Sequence, residues 1–211
     1  MISHKYKCIF VEVPKTGSTS IRSILGEPEK LHLDILEILY EIEKALVPYD
    51  FINKKPMVLD SAARVKLVRQ RFDEYFKFGF VRNPWDRTVS LYMRKEGICL
   101  SKLISFDQFV DWIHYSSDTS IHPSKHINQL DWLTDKNGKV LVDFIGRFER
   151  LEQDWEFVCQ KLGLAPLPLP YLNSSGPDKR HYTDFYTPRT REIIANKFAR
   201  DIEFFGYEFL K

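Results

Sequence analysis

The chain has 211 residues, 44% of them hydrophobic, so it is long enough to bury a substantial core in one domain that spans residues 1–211. Its 31 basic and 29 acidic residues nearly cancel, which argues against a general nucleic-acid-binding protein. No apolar run is long enough to cross a bilayer, so a cytoplasmic protein with no membrane partner is the simplest expectation.

The first distinctive stretch is residues 8–21, C-I-F-V-E-V-P-K-T-G-S-T-S-I. Its apolar start predicts a strand, the loop that follows is rich in hydroxyls, and the apolar spacing from Ile21 predicts a helix. Amides at a helix start, with the helix dipole behind them, form an anion site, and Gly17 lets the backbone come close to a ligand. Lys15 adds a mobile positive charge, and three hydroxyls add donors: Ser18, Thr19 and Ser20. The stretch therefore predicts a phosphate-binding loop.

Helices and a second strand follow this loop. After a break at residues 26–28, the apolar spacing at 35–46 predicts an amphipathic helix. Residues 47–60 are expected to be irregular, and the spacing at 65–72 predicts another helix. Residues 76–81, F-K-F-G-F-V, predict a short aromatic strand.

That strand ends in a second distinctive stretch, R-N-P-W-D-R-T-V-S-L-Y at residues 82–92. Asn83 and Pro84 suit the cap and first position of a helix whose Trp85, Val89 and Tyr92 are expected to face the core. Arg82, at the strand end, can bind a phosphate through two parallel hydrogen bonds. Ser90, about two helical turns later, can add a third donor. The structural alternatives are that Arg82 pairs with a carboxylate and that Ser90 is exposed.

The remaining elements complete an α/β pattern. In chain order we predict a helix at 106–113, a polar segment at 116–129, a strand at 140–145, a helix at 151–162, a proline-rich connector at 166–170 and a last helix from Thr187 to about Phe204. Strands that alternate with helices predict a mostly parallel sheet flanked by helices on both faces.

Two motifs together resemble those of sulfotransferases that use 3′-phosphoadenosine 5′-phosphosulfate (PAPS). P-K-T-G-S-T-S-I at 14–21 resembles their 5′-phosphosulfate loop, and residues 82–92 resemble their 3′-phosphate-binding segment. Residues 140–164 and the tail at 179–188 are similar to the bacterial branch of the family-2, carbohydrate-type sulfotransferases. The resemblance implies a P-loop-like sulfotransferase fold. It also implies in-line transfer of a sulfuryl group from PAPS to a hydroxyl of a carbohydrate or small-molecule acceptor.

The resemblance also implies which residues hold PAPS: Lys15, Thr16, Gly17, Ser18, Thr19, Ser20, Arg82, Ser90, Lys179, Arg180 and Tyr182. Lys15 is expected to neutralise the charge that develops on the leaving phosphate, without a metal. The basic segment that begins at Lys179 is expected to close over the 3′-phosphate; the alternative is a solvated basic patch.

A general base is needed as well, because the acceptor hydroxyl loses its proton as it attacks sulfur. His32 is the first candidate, since residues 30–38 resemble the family segment in which Glu-Ile follows a histidine. If an insertion falls earlier, the matching segment lies near Asp60, which is then the alternative base. His122 and His126 lie on a segment expected to face the substrate and are further candidates.

No histidines, cysteines or carboxylates show metal-ligand spacing, so we expect no metal. Cys8 and Cys159 are expected to be reduced and buried. One alternative function is a P-loop nucleotide kinase or phosphotransferase; its lysine is missing, but Asp143 is a possible metal-binding acid. The other is a non-catalytic protein that binds PAPS or its desulfated product. The sequence leaves the acceptor and the oligomeric state open.

Overall fold

The computed structural model describes residues 1–26, 32–45, 49–50, 55–56, 61–94, 100–115, 126–165, 167–170, 172 and 180–210. The strands within these ranges are β1 (Ile2–Ser3), β2 (Cys8–Val11), β3 (Tyr49–Asp50), β4 (Lys55–Pro56), β5 (Phe76–Val81) and β6 (Phe144–Arg147). The α-helices are α1 (Ser18–Leu25), α2 (Ile35–Ala45), α3 (Ser61–Asp73), α4 (Pro84–Tyr92), α5 (Phe106–Tyr115), α6 (Leu151–Lys161), α7 (Pro188–Lys197) and α8 (Ala199–Phe205).

A four-stranded sheet in the order β1-β2-β5-β6 lies at the centre. β1 is antiparallel to β2, whereas β2, β5 and β6 are parallel. The alternation of side chains along β2 sends Ile9 and Val11 into one core cluster and Cys8 and Phe10 into another. α2, α3 and α8 cover the first face, and α1 and α6 cover the second. The predicted α/β arrangement, with helices on both faces of a mostly parallel sheet, is therefore confirmed.

A third apolar cluster holds α4 against α5 and α7. The side chains expected to face the core, Trp85, Val89 and Tyr92, are all buried in it. Asn83 accepts a hydrogen bond from the Trp85 amide at 3.1 Å and Pro84 opens the helix, as predicted. This packing fixes α4 at the carboxyl end of β5, where the second distinctive stretch begins.

Two predicted boundaries are wrong. The strand expected at 140–145 lies at Phe144–Arg147, because Val140 instead forms an isolated bridge with Thr134 and the Leu141 amide bonds to the Leu133 carbonyl. The last helix is two helices, because Phe198, at φ −108° and ψ 28°, leaves helical geometry while its ring stays buried.

The expectations for Cys8 and Cys159 agree with the structure. Cys8 and Cys159 are both buried and unbridged. Burial raises the pKa of each thiol, to about 12 for Cys8. By contrast, the expectation that residues 47–60 are irregular is wrong in part, because residues 49–50 and 55–56 pair as a short antiparallel ladder. Among the described helices, none is long and apolar enough to span a membrane.

Candidate active site

The predicted phosphate-binding loop lies between β2 and α1, at the carboxyl end of the sheet. Lys15 and Gly17 both have positive φ, 68° and 86°. For lysine this conformation is uncommon and strained, and such strain clusters at functional sites. The Thr16 hydroxyl donates to the Val13 carbonyl at 2.9 Å, and the Ser20 amide donates to the Gly17 carbonyl at 3.2 Å. The loop is thus closed by its own hydrogen bonds, and the hydroxyl proton of Thr16 is used within the loop.

Gly17 is the helix cap and has no side chain with which to cover the first amides of α1. A Cβ at this position would lie 3.0 Å from Leu151 Cδ2 and 3.4 Å from a ring carbon of Phe148. Both the positive φ and the tight packing therefore require glycine. Ser18 and Ser20 are buried, whereas Lys15 and Thr19 are partly exposed.

Arg82 extends from the end of β5 to this loop. Its Nη1 donates to the Lys15 carbonyl at 3.2 Å. Its Nε and Nη2 donate to both carboxylate oxygens of Asp86, at 2.7 and 2.9 Å. The guanidinium also lies 3.9 Å from the centre of the Phe148 ring. Of its five N–H donors, these bonds occupy three, so two N–H groups have no bond among the described residues.

The buried side-chain amide of Gln129 fixes the backbone of Arg82. The Gln129 side chain accepts from the Arg82 amide at 2.9 Å and donates to the Arg82 carbonyl at 2.8 Å. Gln129 is held in turn by Asp201, which accepts from the backbone amides of Gln129 and Leu130 at 2.8 and 3.0 Å. Arg82 is therefore oriented from both its backbone and its side chain.

Arg87, one turn into α4, also contacts the loop. Its Nε donates to the Pro14 carbonyl at 3.0 Å, and the residue is 1% exposed. The sequence interpretation missed Arg87, although it lies in the same R-N-P-W-D-R motif as Arg82. It also missed Asp86, which the four-residue spacing from Arg82 could have indicated.

The other residues expected to bind the 3′-phosphate occupy α4 and the tail. Ser90 is buried at 8% exposure. The Tyr182 hydroxyl donates to the Leu210 carbonyl at 2.9 Å. Burial raises the pKa of Tyr182, and the hydrogen bonds with Leu210 and Asn83 oppose the rise. Arg180 lies over the Phe185 ring at 4.2 Å. Lys179 lies outside the described residues.

His32 lies beside the end of β2. Its Nδ1 is 3.1 Å from the Glu12 carbonyl oxygen, so Nδ1 carries the proton and Nε2 carries the lone pair. Burial is the largest influence on its pKa and lowers it, and the positive charges of Arg22 and Lys15 lower it further. The hydrogen bond to Glu12 acts in the opposite direction. These interactions favour a neutral imidazole near the loop.

Asp34 follows one candidate base, His32, by two residues and contacts another, His126. It caps α2 by accepting from the Leu36 and Glu37 amides at 2.9 and 2.8 Å. Its other oxygen lies 2.7 Å from His126 Nε2. His126 is therefore held at the residue that caps the start of α2. The remaining candidates, Asp60 and His122, lie outside the described residues. Within the part of the chain that the structure describes, no three histidines, cysteines or carboxylates are grouped to hold a metal.

Comparisons with known proteins place this geometry in context. A model described as the sulfotransferase family matches residues 1–208. An uncharacterized protein of Archaeoglobus fulgidus is 35% identical over 117 residues, which are 54% of this chain and 90% of that protein. Carbohydrate sulfotransferase 9 of Homo sapiens is 28% identical over 230 residues, which are 95% of this chain but 47% of the human protein. The chain thus spans about half the length of that relative. A solved sulfotransferase from Alicyclobacillus acidocaldarius aligns over 96% of both chains with 16% identity and a TM-score of 0.44, which does not by itself establish a shared fold.

Proposed function

Because the chain belongs to the sulfotransferase family, we propose that it transfers a sulfuryl group from PAPS to a hydroxyl of a carbohydrate or small-molecule acceptor. The family match confirms the resemblance that two motifs carry in the sequence. The proposal includes the role of each site residue, the mechanism and the acceptor.

The observation that carries the proposal is the contact between Arg82 and the loop. Its Nη1 bonds to the Lys15 carbonyl at 3.2 Å, so two elements suited to anions lie side by side at the carboxyl ends of β2 and β5. Ligands bind at such strand ends in open α/β sheets. PAPS carries a phosphosulfate and a separate 3′-phosphate, which match the loop and the two remaining donors of Arg82.

In the proposed mechanism, Lys15 and His32 have separate roles. As the acceptor oxygen bonds to sulfur, the bond from sulfur to the 5′-phosphate oxygen breaks, and 3′,5′-adenosine bisphosphate (PAP) leaves. Lys15 stabilises the charge that collects on that oxygen. Nε2 of His32 takes the proton of the acceptor hydroxyl. Asp34 caps the helix that follows His32 and thereby holds the backbone of the base.

The class of acceptor is drawn from the relatives. Carbohydrate sulfotransferases 9 and 14 align with 95% and 98% of this chain, and their names state carbohydrate acceptors. The fraction of each relative that is covered, 47% and 59%, leaves much of those proteins without a counterpart here. We therefore propose a hydroxyl of a carbohydrate or a small molecule, and no more specific acceptor.

The direct test is turnover of sulfur-labelled PAPS with a panel of sugars and small hydroxyl compounds, in excess chelator. The expected result is label in at least one acceptor together with stoichiometric release of PAP. Tight binding of PAP with no labelled acceptor would favour the non-catalytic alternative. Turnover that needs magnesium and ATP instead would contradict the proposal and favour a kinase.

The position of Asp143 weakens the kinase alternative. Its carboxylate lies 3.0 Å from Lys77 Nζ and accepts from the Lys77 amide at 2.8 Å. Lys77 is the second residue of β5, whereas the loop and Arg82 lie beyond the other end of the parallel strands. Asp143 is therefore bound at the amino end of the sheet, where it cannot hold a metal next to the loop.

A further inference from the structure

Two arginines of the same segment hold two consecutive carbonyls of the phosphosulfate loop. Arg87 donates to the carbonyl of Pro14 at 3.0 Å, and Arg82 donates to the carbonyl of Lys15 at 3.2 Å. In a trans peptide the carbonyl and the following amide point in opposite directions. No cis peptide occurs among the described residues. The two arginines therefore turn the amides of Lys15 and Thr16 away from themselves.

Arg87 differs from Arg82 in how its charge is balanced. Arg82 forms a two-point ion pair with Asp86. Arg87 has no such pair, and its Nη2 has no hydrogen-bond partner among the described residues. Asp201 is close enough to act on Arg87 by charge, but its oxygens accept from Gln129 and Leu130. A positive charge thus lies buried next to the loop and is only partly compensated.

Such an arrangement destabilises the fold unless another interaction compensates for it. A buried charge without a direct partner destabilises a fold, and a buried unpaired donor does so as well. Burial is the largest influence on Arg87 and lowers its pKa to about 10, so the guanidinium stays charged at neutral pH. An anion on the opposite side of the Pro14–Lys15 peptide would complete the charge balance.

We propose that Arg87 is a positioning residue for the 5′ end of the nucleotide, which it serves by fixing the Pro14–Lys15 peptide and by supplying positive potential next to the loop. It does not touch the ligand. This inference rests on the proposed function, since it assumes that the loop holds the 5′-phosphosulfate. It separates the two arginines by role: Arg87 acts on the 5′ site, whereas Arg82 contacts the loop and is expected to bind the 3′-phosphate as well.

Three nucleotides separate the two sites. PAP carries both phosphates, adenosine 5′-monophosphate carries only the first, and adenosine 3′-monophosphate carries only the second. In Arg87→Met, calorimetric titration, with competition for weak ligands, should show about 10- to 100-fold weaker binding of PAP and of the 5′-monophosphate. Binding of the 3′-monophosphate should stay within about twofold of wild type, because Asp86 and Gln129 hold Arg82 in place whether or not Arg87 is present.

Ser90→Ala is the matched control, because Ser90 lies one turn further along the same buried helix. It should show the reverse pattern, with loss for PAP and the 3′-monophosphate only. Arg87→Lys keeps the positive charge and can still donate one hydrogen bond to the Pro14 carbonyl, so it should recover part of the lost affinity. If Arg87→Met does not fold, the affinities of Arg87→Lys decide between the two roles. A purely structural arginine would lower the melting temperature and leave all three affinities of the folded protein unchanged.

The outcomes are distinct. If wild type binds PAP and the folded Arg87 variants bind the 5′-monophosphate as wild type does, the inference fails alone. Equal losses for all three nucleotides would also overturn it, because the effect would not be confined to the 5′ site. If wild type does not bind PAP, the proposed function fails and the inference fails with it.

Discussion

Replacing Arg82 with alanine is the perturbation whose effect the structure defines in most detail. The change removes the two donors left for an anion, together with the bond to the Lys15 carbonyl at 3.2 Å. A hydrogen bond to a charged group contributes about 1.5–3 kcal/mol, so the loss of two predicts about 3–6 kcal/mol of binding free energy. The affinity for PAP should therefore fall by about 100- to 20,000-fold.

The same change leaves Asp86 without its partner. Its side chain is 23% exposed, so water can reach the carboxylate, but its charge would then repel the 3′-phosphate. The double variant Arg82→Ala/Asp86→Ala removes that repulsion. We expect the double variant to regain a minor part of the loss, since the phosphate donors are still missing. Full recovery in the double variant would show that repulsion, and not lost donors, causes the defect.

Calorimetric titration with PAP and with adenosine 5′-monophosphate is the assay. In Arg82→Ala the ratio of the two affinities should approach one, because the 3′-phosphate no longer finds its donors. Arg150→Ala is a matched control, since Arg150 and Asp154 form another Arg–Asp pair four residues apart on the described chain, at 3.0 Å. A wild-type ratio in Arg82→Ala, or the same loss in Arg150→Ala, would refute the reasoning.

Three further predictions concern the loop and the base. Lys15→Ala should lower turnover of PAPS by about 100-fold or more while the melting temperature stays unchanged, because a preorganised charge at the leaving oxygen is lost. Gly17→Ala should weaken PAP binding in the same titration, since a Cβ would lie 3.0 Å from Leu151 at φ +86°. His32→Ala should lower kcat by about 100- to 10,000-fold with little change in PAP affinity. In wild type, kcat/KM should rise with pH through a midpoint below 6.5, because burial lowers the pKa of His32 and only neutral imidazole accepts a proton; this limb should vanish in His32→Ala.

Each of these has a contradicting result. Lys15→Ala with more than half of wild-type activity would remove Lys15 from the chemistry. Unchanged PAP affinity in Gly17→Ala would show that the loop does not need its strained geometry. Undiminished turnover in His32→Ala would rule out this base, and Asp60, His122 and His126 would be tested next. A midpoint above 6.5 would conflict with the environment of His32.

Local sequence signals predicted the elements that hold the site. The alternating aromatic run at Phe76–Val81 gives a strand with the same limits, because its phenylalanines and Val81 fit a buried strand between two others. The cap at Asn83 and the proline after it fix the start of α4 through local hydrogen bonding and a preset φ. Arg82 therefore stands at a junction that the sequence alone defines.

Contacts between distant residues could not be predicted in this way. Gln129 holds the backbone of Arg82 across 47 residues, and His126 reaches Asp34 across 92. The burial of Arg87 also depends on the packing of α4 against the loop, which no local pattern encodes. The strand expected at 140–145 begins later, at Phe144, because Val140 forms a bridge with Thr134 across the turn between them. The register of that turn sets this pairing, and it cannot be read from the local sequence.

The most direct test of the two-site account is equilibrium binding of PAP to the wild-type chain, titrated in excess chelator beside the two adenosine monophosphates. The account predicts one site per chain that binds PAP at least about tenfold more tightly than either monophosphate, because each phosphate meets its own charged donors. Equal affinities for PAP and adenosine 5′-monophosphate, or binding that depends on added magnesium, would contradict it.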